Sequence, residues 1–188
     1  RALLPALRMD EQFSRLEASS GDLEAIQHQR RELLMELFVD FEPQVLIIEL
    51  FPFGRKRFQF ELIPVLRRIR EEHLATGVVC SLRDILVEKT NQDDYERRVI
   101  ETLNRYFDLL LIHSDPQFIR LDETFSRTAE IAVPVEYTGF VTRQPAVQSS
   151  APAIDPSPRA RSHHLAVTPS PPPRKVVAST GGGKVGSE

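Results

Sequence analysis

Apolar residues recur three or four positions apart in three segments of the chain, and short continuous apolar runs separate these segments. The helical spacing covers residues 22–41, 60–72 and 93–107. The apolar runs are QVLIIEL from residue 44, GVVCSL from residue 77 and DLLLIH from residue 108, and IAVPVEYTGFV from residue 131 holds a fourth short strand. Runs of this kind are typical of strands buried on both faces. The alternation predicts an α/β fold, a Rossmann-like parallel sheet with covering helices.

The ends of the predicted helices carry recognisable signals. Asp22 follows a glycine and can cap the first helix, and Pro43 ends it because the residue before proline avoids helical angles. Asp93 and Glu96 have the spacing of a capping box at the start of the third helix. The first helix is expected to bury one long stripe, composed of Leu23, Ile26, Leu33, Leu34, Leu37, Phe38 and Phe41.

Polar residues follow each of the first three predicted strands directly. They lie in residues 49–54, 81–84 and 113–116. Parallel sheets bind ligands beyond the carboxyl ends of their strands, so these three loops predict a site at one edge of the sheet.

Each loop leaves two interpretations open. The Arg55-Lys56-Arg57 run precedes a helix, where positive charge opposes the helix dipole, so it is either a solvated basic loop or an anion site. Arg83 either forms a local salt bridge with Asp84 or presents its donors to a ligand. His113 either donates to a sugar hydroxyl or acts as a base, or it is a structural histidine hydrogen-bonded to Asp115.

The composition changes after Arg143. Residues 145–173 hold eight of the fourteen prolines and few large apolar residues, which predicts a flexible linker over residues 144–174. KVVAST then predicts a strand that begins a second domain over residues 175–188. Gly181, Gly183 and Gly186 follow this strand with the G-x-G-x-x-G spacing, which suits either a phosphate-binding loop or an ordinary glycine-rich turn.

Composition and charge exclude several classes of protein. The net charge of −3 gives no overall field that would attract nucleic acid. Cys80 is the only cysteine and lies in an apolar run, where we expect buried packing rather than chemistry. We expect no metal site, no cofactor and no integral membrane segment, and a cytoplasmic setting, while peripheral contact with a membrane stays open. Both ends of the chain suggest an internal piece of a longer protein.

Five stretches together resemble a bacterial family of predicted glycosyltransferases related to the MurG-like transferases of the GT-B fold. They are ELFPFGRKRFQFELIPVLRRI, SLRDILVEK, RYFDLLLIHSDP, VEYTGFV and the late GGGKVG. The resemblance runs through nearly all of residues 1–141 and resumes at residue 175. The proline-rich join between these parts looks longer than is usual in the family.

The resemblance implies the first half of a two-domain GT-B enzyme, with residues 1–143 as a Rossmann-like acceptor-side domain. Such an enzyme transfers a sugar from a nucleoside diphosphate sugar to an acceptor hydroxyl, usually without a metal, and this piece alone is expected to be inactive. The implied cleft residues are Glu49, Gly54, Arg55, Arg83, Asp84, His113 and Asp115, and the implied donor diphosphate loop is Gly181, Gly182 and Gly183. No catalytic residue is assigned, because the family's opening glycine- and histidine-bearing loop is expected before Arg1.

Two other functions fit the same sequence. A nucleotide-sugar epimerase of the same fold would convert the donor without an acceptor. A non-catalytic module would use the loops at the sheet edge to hold a phosphorylated ligand. Neither the sugar, the nucleotide base nor the acceptor is predicted by the residues present.

Overall fold

A computed structural model describes residues 4–9, 15–18, 21–83, 91–140 and 176–179 of the chain. In these ranges a parallel β-sheet is flanked by α-helices, which confirms the predicted α/β class. The elements in chain order are β1 (Leu7–Met9), β2 (Leu16–Ala18), α1 (Leu23–Phe41), β3 (Val45–Glu49), α2 (Gln59–Glu71), β4 (Gly77–Leu82), α3 (Gln92–Tyr106), β5 (Leu109–Ile112), β6 (Val135–Tyr137) and β7 (Val176–Ser179). Short 3-10 turns lie at Lys56–Phe58, Leu121–Glu123 and Thr128–Glu130.

The main sheet has the strand order β6-β5-β4-β3-β7, and all its pairs are parallel. The strands from β3 to β6 therefore add in chain order toward one side of the sheet, and β7 joins at the other side of β3. Glu49 lies opposite Ser81 in the register of β3 and β4, so the polar ends of neighbouring strands come to the same edge. β1 and β2 form a separate antiparallel hairpin.

The core lies between the helices and one face of the sheet. Leu46 and Ile48 of β3 are buried together with Leu66 of α2 and Leu103 of α3. The alternate residues of β3 are only half-buried, with Ile47 among them. The prediction that this strand is buried on both faces is therefore wrong within the described ranges. Cys80 is fully buried in the core, as its apolar run predicts.

The helices follow their predicted boundaries closely, but α1 buries less than its stripe suggests. Asp22 caps α1, accepting a hydrogen bond from the Ala25 amide at 3.2 Å. Phe38 is the buried residue of α1, whereas Leu37 and Phe41 of the expected stripe are exposed by 44% and 40%. α1 packs mainly along α2. A single neighbouring helix buries a narrower strip of the α1 surface than a sheet would, so part of the apolar stripe stays exposed.

The capping box expected at the start of α3 is wrong. α3 begins after Asn91, and the Glu96 side chain, 1% exposed, is turned toward a distant loop instead. It accepts hydrogen bonds from the amide and hydroxyl of Ser126, at 2.9 and 2.7 Å, and from the Arg127 amide at 3.0 Å. A carboxylate that satisfies several buried donors is held there more firmly than at an exposed helix end.

The strand predicted from KVVAST forms as β7, and it pairs with β3 at the side away from β4. It thus lies in the same sheet as the other strands rather than in a sheet of its own. Apart from β7, the predicted linker and the rest of the predicted second domain lie outside the described residues, so this domain division stays a prediction. In the described part of the chain, no helix combines the length and the apolar character that crossing a bilayer requires.

Candidate functional site

A row of polar side chains crosses the carboxyl edge of the sheet. Glu49 ends β3, Ser81 lies beside it near the end of β4, and His113 and Thr138 follow β5 and β6 directly. Backbone hydrogen bonds extend the ladder by one residue at this edge, from the His113 amide to the Leu82 carbonyl and from the Thr138 amide to the Ile112 carbonyl. Strand pairing itself therefore fixes the order of the four side chains.

The Glu49 carboxylate is largely buried, at 11% exposure, and lies between two arginines. One oxygen is 3.2 Å from a guanidinium nitrogen of Arg55, and the other is 2.5 Å from a guanidinium nitrogen of Arg83. Arg83 itself is 59% exposed. The cluster of one carboxylate and two guanidinium groups carries a net positive charge, and part of it faces solvent.

The His113 ring is held between two hydroxyl groups. Nε2 lies 2.9 Å from the Ser81 hydroxyl and Nδ1 lies 2.7 Å from the Thr138 hydroxyl. Desolvation and the positive charge of Arg83 lower the pKa of His113 below its ordinary value, and the opposing attraction of Glu49 is smaller. The imidazole is therefore mostly neutral at neutral pH. Because each hydroxyl can donate or accept, either ring nitrogen can be the basic one.

A cavity of about 360 Å³ opens beside this row. Phe118 and Phe140 form its outer wall, with ring centroids 5.9 Å apart and an interplanar angle of 70°. Both rings are exposed, Phe118 by 74% and Phe140 by 58%. The other lining residues are Leu82, Arg83, Ile112, His113, Ser114, Ile119, Arg120, Leu121 and Thr124.

The loop that carries Phe118 is built by local hydrogen bonds. The Asp115 side chain accepts from the Gln117 amide at 2.8 Å, and its carbonyl accepts from the amides of Phe118 and Ile119. The Leu121 amide donates to the Tyr137 hydroxyl at 2.9 Å. An exposed aromatic ring on a loop with this much internal bonding is presented to solvent in a defined position.

The structure brings four of the sequence-predicted residues together. Glu49, Arg55, Arg83 and His113 form one cluster. Arg83 pairs with Glu49, and His113 bonds to Ser81 and Thr138, so the alternative of a structural bond from His113 to Asp115 is wrong. Asp84 and the glycines at 181, 182 and 183 lie outside the described residues.

Gly54 has a steric role in the loop after β3. A Cβ atom at this position would lie 2.8 Å from the Leu50 Cδ2 atom, and the Gly54 amide donates to the Leu50 carbonyl at 2.7 Å. Leu50 and Arg55 both have positive φ, 67° and 55°, which places two non-glycine residues in the left-handed region. Backbone strain of this kind concentrates at functional loops. The Tyr95 hydroxyl, donating to the Phe53 carbonyl at 2.7 Å, holds the loop in place.

The sequence predicted Ser81 as the first residue of the second polar loop without giving it a role, and it did not single out Thr138, Phe118 or Phe140. A role for Ser81 could have been inferred, because it lies two residues before Arg83 and so on the same face of an extended strand. Thr138 and the two phenylalanines depend on strand register and on the path of the loops, which no local pattern in the sequence reports. Within the described ranges, no three His, Cys, Asp or Glu side chains come together as metal ligands would.

Comparison with known proteins identifies no relative of this chain. No protein-family model matches the chain, and neither a curated protein nor a solved structure matches it.

Proposed function

We propose that this chain forms the acceptor-binding half of a metal-independent glycosyltransferase that uses a nucleoside diphosphate sugar. The observation that supports this best is the neutral histidine, beside a cationic cluster and an aromatic-walled cavity, at the carboxyl edge of a parallel sheet. Ligands of such sheets bind at this edge. The resemblance to MurG-like transferases suggests the same class of reaction and a GT-B arrangement with a second domain for the donor.

In this proposal the acceptor hydroxyl takes the place of the Thr138 hydroxyl at Nδ1, the more exposed of the two ring contacts, and His113 removes its proton. Its lowered pKa keeps one ring nitrogen available as a proton acceptor at neutral pH. The acceptor oxygen then bonds to the anomeric carbon of the donor as the bond from that carbon to the diphosphate oxygen breaks. The diphosphate leaves with the bonding electron pair, and the proton stays on His113. The Ser81 hydroxyl, at Nε2, holds the other side of the ring in position.

The guanidinium group of Arg83 faces the same cavity. One of its nitrogens binds Glu49, and the exposed remainder of the group carries further N–H donors. A fixed cation stabilises negative charge that develops in a transition state, because it needs no reorganisation when the charge appears. We assign Arg83 to an anionic group, either on the acceptor or on the departing diphosphate. The predicted Gly181, Gly182 and Gly183 loop would hold the donor on the opposite side.

Phe118 and Phe140 provide an apolar wall for the acceptor. Clefts for small ligands combine apolar and aromatic walls with a few polar groups that fix orientation, and this cavity has both. Its volume of about 360 Å³ suits part of a small molecule. We expect the wall to bind the non-reacting part of the acceptor while its hydroxyl points to His113.

The test uses the protein encoded by the whole reading frame that contains this chain. It is incubated with UDP-, GDP- and dTDP-sugars, with and without a panel of hydroxyl-bearing acceptors, and nucleoside diphosphate release is measured. We expect acceptor-dependent release that His113→Ala lowers by about 100-fold or more, as loss of a general base does. Arg97→Gln, which changes an exposed residue of α3, is the matched control and should leave the rate unchanged.

Three results would count against the proposal. Conversion of the donor without an acceptor would identify an epimerase. Donor binding with no turnover on any acceptor would identify a binding module. Equal rates for His113→Ala and the unaltered protein would show that His113 is not the general base.

A further inference from the structure

The aromatic wall of the cavity is connected to both sides of the contact between His113 and Thr138. Phe118 lies in the loop that begins at His113 after β5. Phe140 follows Thr138 by two residues after β6. Gly139, between them, has a φ of 73°, a backbone conformation that favours glycine. The two loops that form the histidine contact therefore also bring the two ring centroids to 5.9 Å from each other.

Phe118 and Phe140 are the most exposed large apolar side chains in the described ranges. Single exposed apolar residues are common, but a patch of exposed rings in contact is found mainly where something binds. The other apolar side chains that line the cavity are Leu82, Ile112, Ile119 and Leu121. The cavity thus offers a ligand an apolar and partly aromatic surface beside one imidazole.

The polar side chains of the cavity suit a ligand with few hydroxyl groups. None of the described lining residues is Asp, Glu, Asn or Gln, whose side chains can accept hydrogen bonds from several hydroxyl groups. Ser114 already donates to the Ile119 carbonyl at 3.3 Å. Arg120 already binds the Asp122 carboxylate through two nitrogens, at 3.0 and 3.2 Å. A sugar acceptor would leave several hydroxyl groups unpaired here, at a cost in binding, whereas a flat ring with one hydroxyl group would not.

The hydroxyl group of a phenol also matches the strength of His113 as a base. The lowered pKa makes this imidazole a weaker base than an ordinary histidine, so it takes a proton most readily from a comparatively acidic hydroxyl. A phenol has a pKa of about 10, as tyrosine has, whereas an aliphatic hydroxyl is about as weak an acid as water, with a pKa of about 15.7. Arg83 lines the same cavity, and its positive charge stabilises a phenolate oxygen further.

We propose that the acceptor is a phenol, a planar aromatic compound whose hydroxyl group is attached directly to the ring. This inference rests on the proposed transferase function and names its acceptor class. The ring packs against Phe118 and Phe140, and its hydroxyl group lies at Nδ1 of His113. The phenol oxygen bonds to the anomeric carbon of the donor as the bond from that carbon to the diphosphate breaks. The diphosphate leaves with the electron pair, the proton goes to His113, and the product is an aryl glycoside.

Three acceptors of similar size separate aromaticity from acidity. 2-Naphthol has an aromatic ring and an acidic hydroxyl, 2-naphthalenemethanol keeps the ring with an aliphatic hydroxyl, and decahydro-2-naphthol has the same fused skeleton without aromaticity. The protein of the whole reading frame is incubated with the donors named above, and nucleoside diphosphate release is measured. We expect kcat/KM for 2-naphthol to be at least about tenfold higher than for either analogue or for galactose, a polyhydroxylated acceptor.

Variants of the wall test where the phenol binds. Phe118→Ala/Phe140→Ala should raise the KM for 2-naphthol at least about tenfold without lowering the unfolding temperature. Leu37→Ala removes an exposed apolar side chain from α1, outside the cavity, and should leave the KM unchanged. Binding is measured separately, by NMR titration of the 188-residue chain with 2-naphthol. The ring signals of Phe118, Phe140 and His113 should shift, and decahydro-2-naphthol should shift them less.

Failure of the acceptor class differs from failure of the transferase. Faster release with galactose or decahydro-2-naphthol than with 2-naphthol would overturn the phenol acceptor and leave the transferase in place. Equal kcat/KM for 2-naphthol and 2-naphthalenemethanol, or an unchanged KM in the double variant, would overturn it as well. No release with any acceptor would contradict the transferase itself, and the phenol acceptor would fail with it.

Discussion

Arg55 donates a hydrogen bond to Glu49 over 3.2 Å, and so the first cation of the Arg-Lys-Arg run faces a carboxylate of its own chain. Arg83 pairs with the other oxygen of the same carboxylate. Glu49 therefore holds two positively charged side chains at the carboxyl edge of the sheet, next to His113. Lys56 and Arg57, the two cations that follow Arg55, line a different cavity between β2, α1 and α2.

The opposite charges beside His113 lead to two predictions of opposite sign for its pKa. Glu49→Gln removes an attraction that raises the pKa of His113 and should lower that pKa further. Arg83→Gln removes a repulsion and should raise it. The measurement is an NMR pH titration of the imidazole carbon-bound protons. Arg97→Gln serves as the control, and shifts of the same sign in both site variants would contradict this electrostatic account.

Glu96 should be one of the most sensitive polar positions of the fold. Its carboxylate accepts hydrogen bonds from Ser126, Arg127 and Gln92 while only 1% of the residue is exposed. Glu96→Ala leaves several donors unpaired, at a cost of roughly 1–3 kcal/mol each where no water replaces the carboxylate. We expect urea unfolding to show a loss of about 2–4 kcal/mol in the free energy of unfolding.

Glu101→Ala is the control for this substitution. It removes an exposed carboxylate from the same helix, and it should change the free energy of unfolding by less than about 0.5 kcal/mol. Burial raises the pKa of Glu96, but the hydrogen bonds outweigh burial and the pKa is lowered overall. The carboxylate thus stabilises the fold above its ordinary pKa, and this contribution is lost as the pH falls through the lowered value. Equal stability of the two variants would contradict the role given to Glu96.

The secondary structure could be predicted because its signals are local. β4 covers residues 77–82, as the apolar run predicts, and each helix lies within one or two residues of its expected bounds. The meeting of Glu49, Arg83 and His113 was also predictable, since parallel strands bring their carboxyl ends to one edge. These inferences need only spacing and the rules of sheet topology.

The remaining features depend on contacts between distant residues. Glu96 finds its partners 30 residues away, so the local spacing from Asp93 predicted the wrong bond. The split of Arg55 from Lys56 and Arg57 follows from the path of the loop after β3, where Leu50 and Arg55 take positive φ. Neither can be inferred from periodicity, because each is decided by packing of the whole domain.

Gly54 is expected to tolerate alanine poorly. The new Cβ atom would lie 2.8 Å from Leu50 Cδ2 and 2.9 Å from Cγ, so the Leu50 side chain or the loop must move. Overpacking of this kind typically costs about 1–3 kcal/mol. The check is a double-mutant cycle with Leu50→Ala measured by chemical denaturation. Gly54→Ala should cost less in the Leu50→Ala background, and an identical cost in both backgrounds would exclude the proposed clash.

His113 should make the free energy of unfolding depend on pH in the mildly acidic range. Its pKa in the folded chain lies below the ordinary value of 6.5 that it regains on unfolding. Between these two values the unfolded chain binds more protons than the folded chain, so the free energy of unfolding decreases as the pH falls below about 6.5. The stabilisation is present above that pH and is lost as the pH falls through the pKa of the folded state.

Replacing His113 with glutamine removes this titration while an amide can still bond to the hydroxyls of Ser81 and Thr138. The free energy of unfolding of His113→Gln, measured by urea denaturation between pH 7.5 and pH 5, should therefore decline less steeply than that of the unaltered chain. His28→Gln removes an exposed imidazole from α1 and should keep the original slope. Parallel pH profiles for the unaltered chain and His113→Gln would mean that burial and Arg83 do not disfavour the imidazolium, and the neutral base proposed for sugar transfer would lose its physical support.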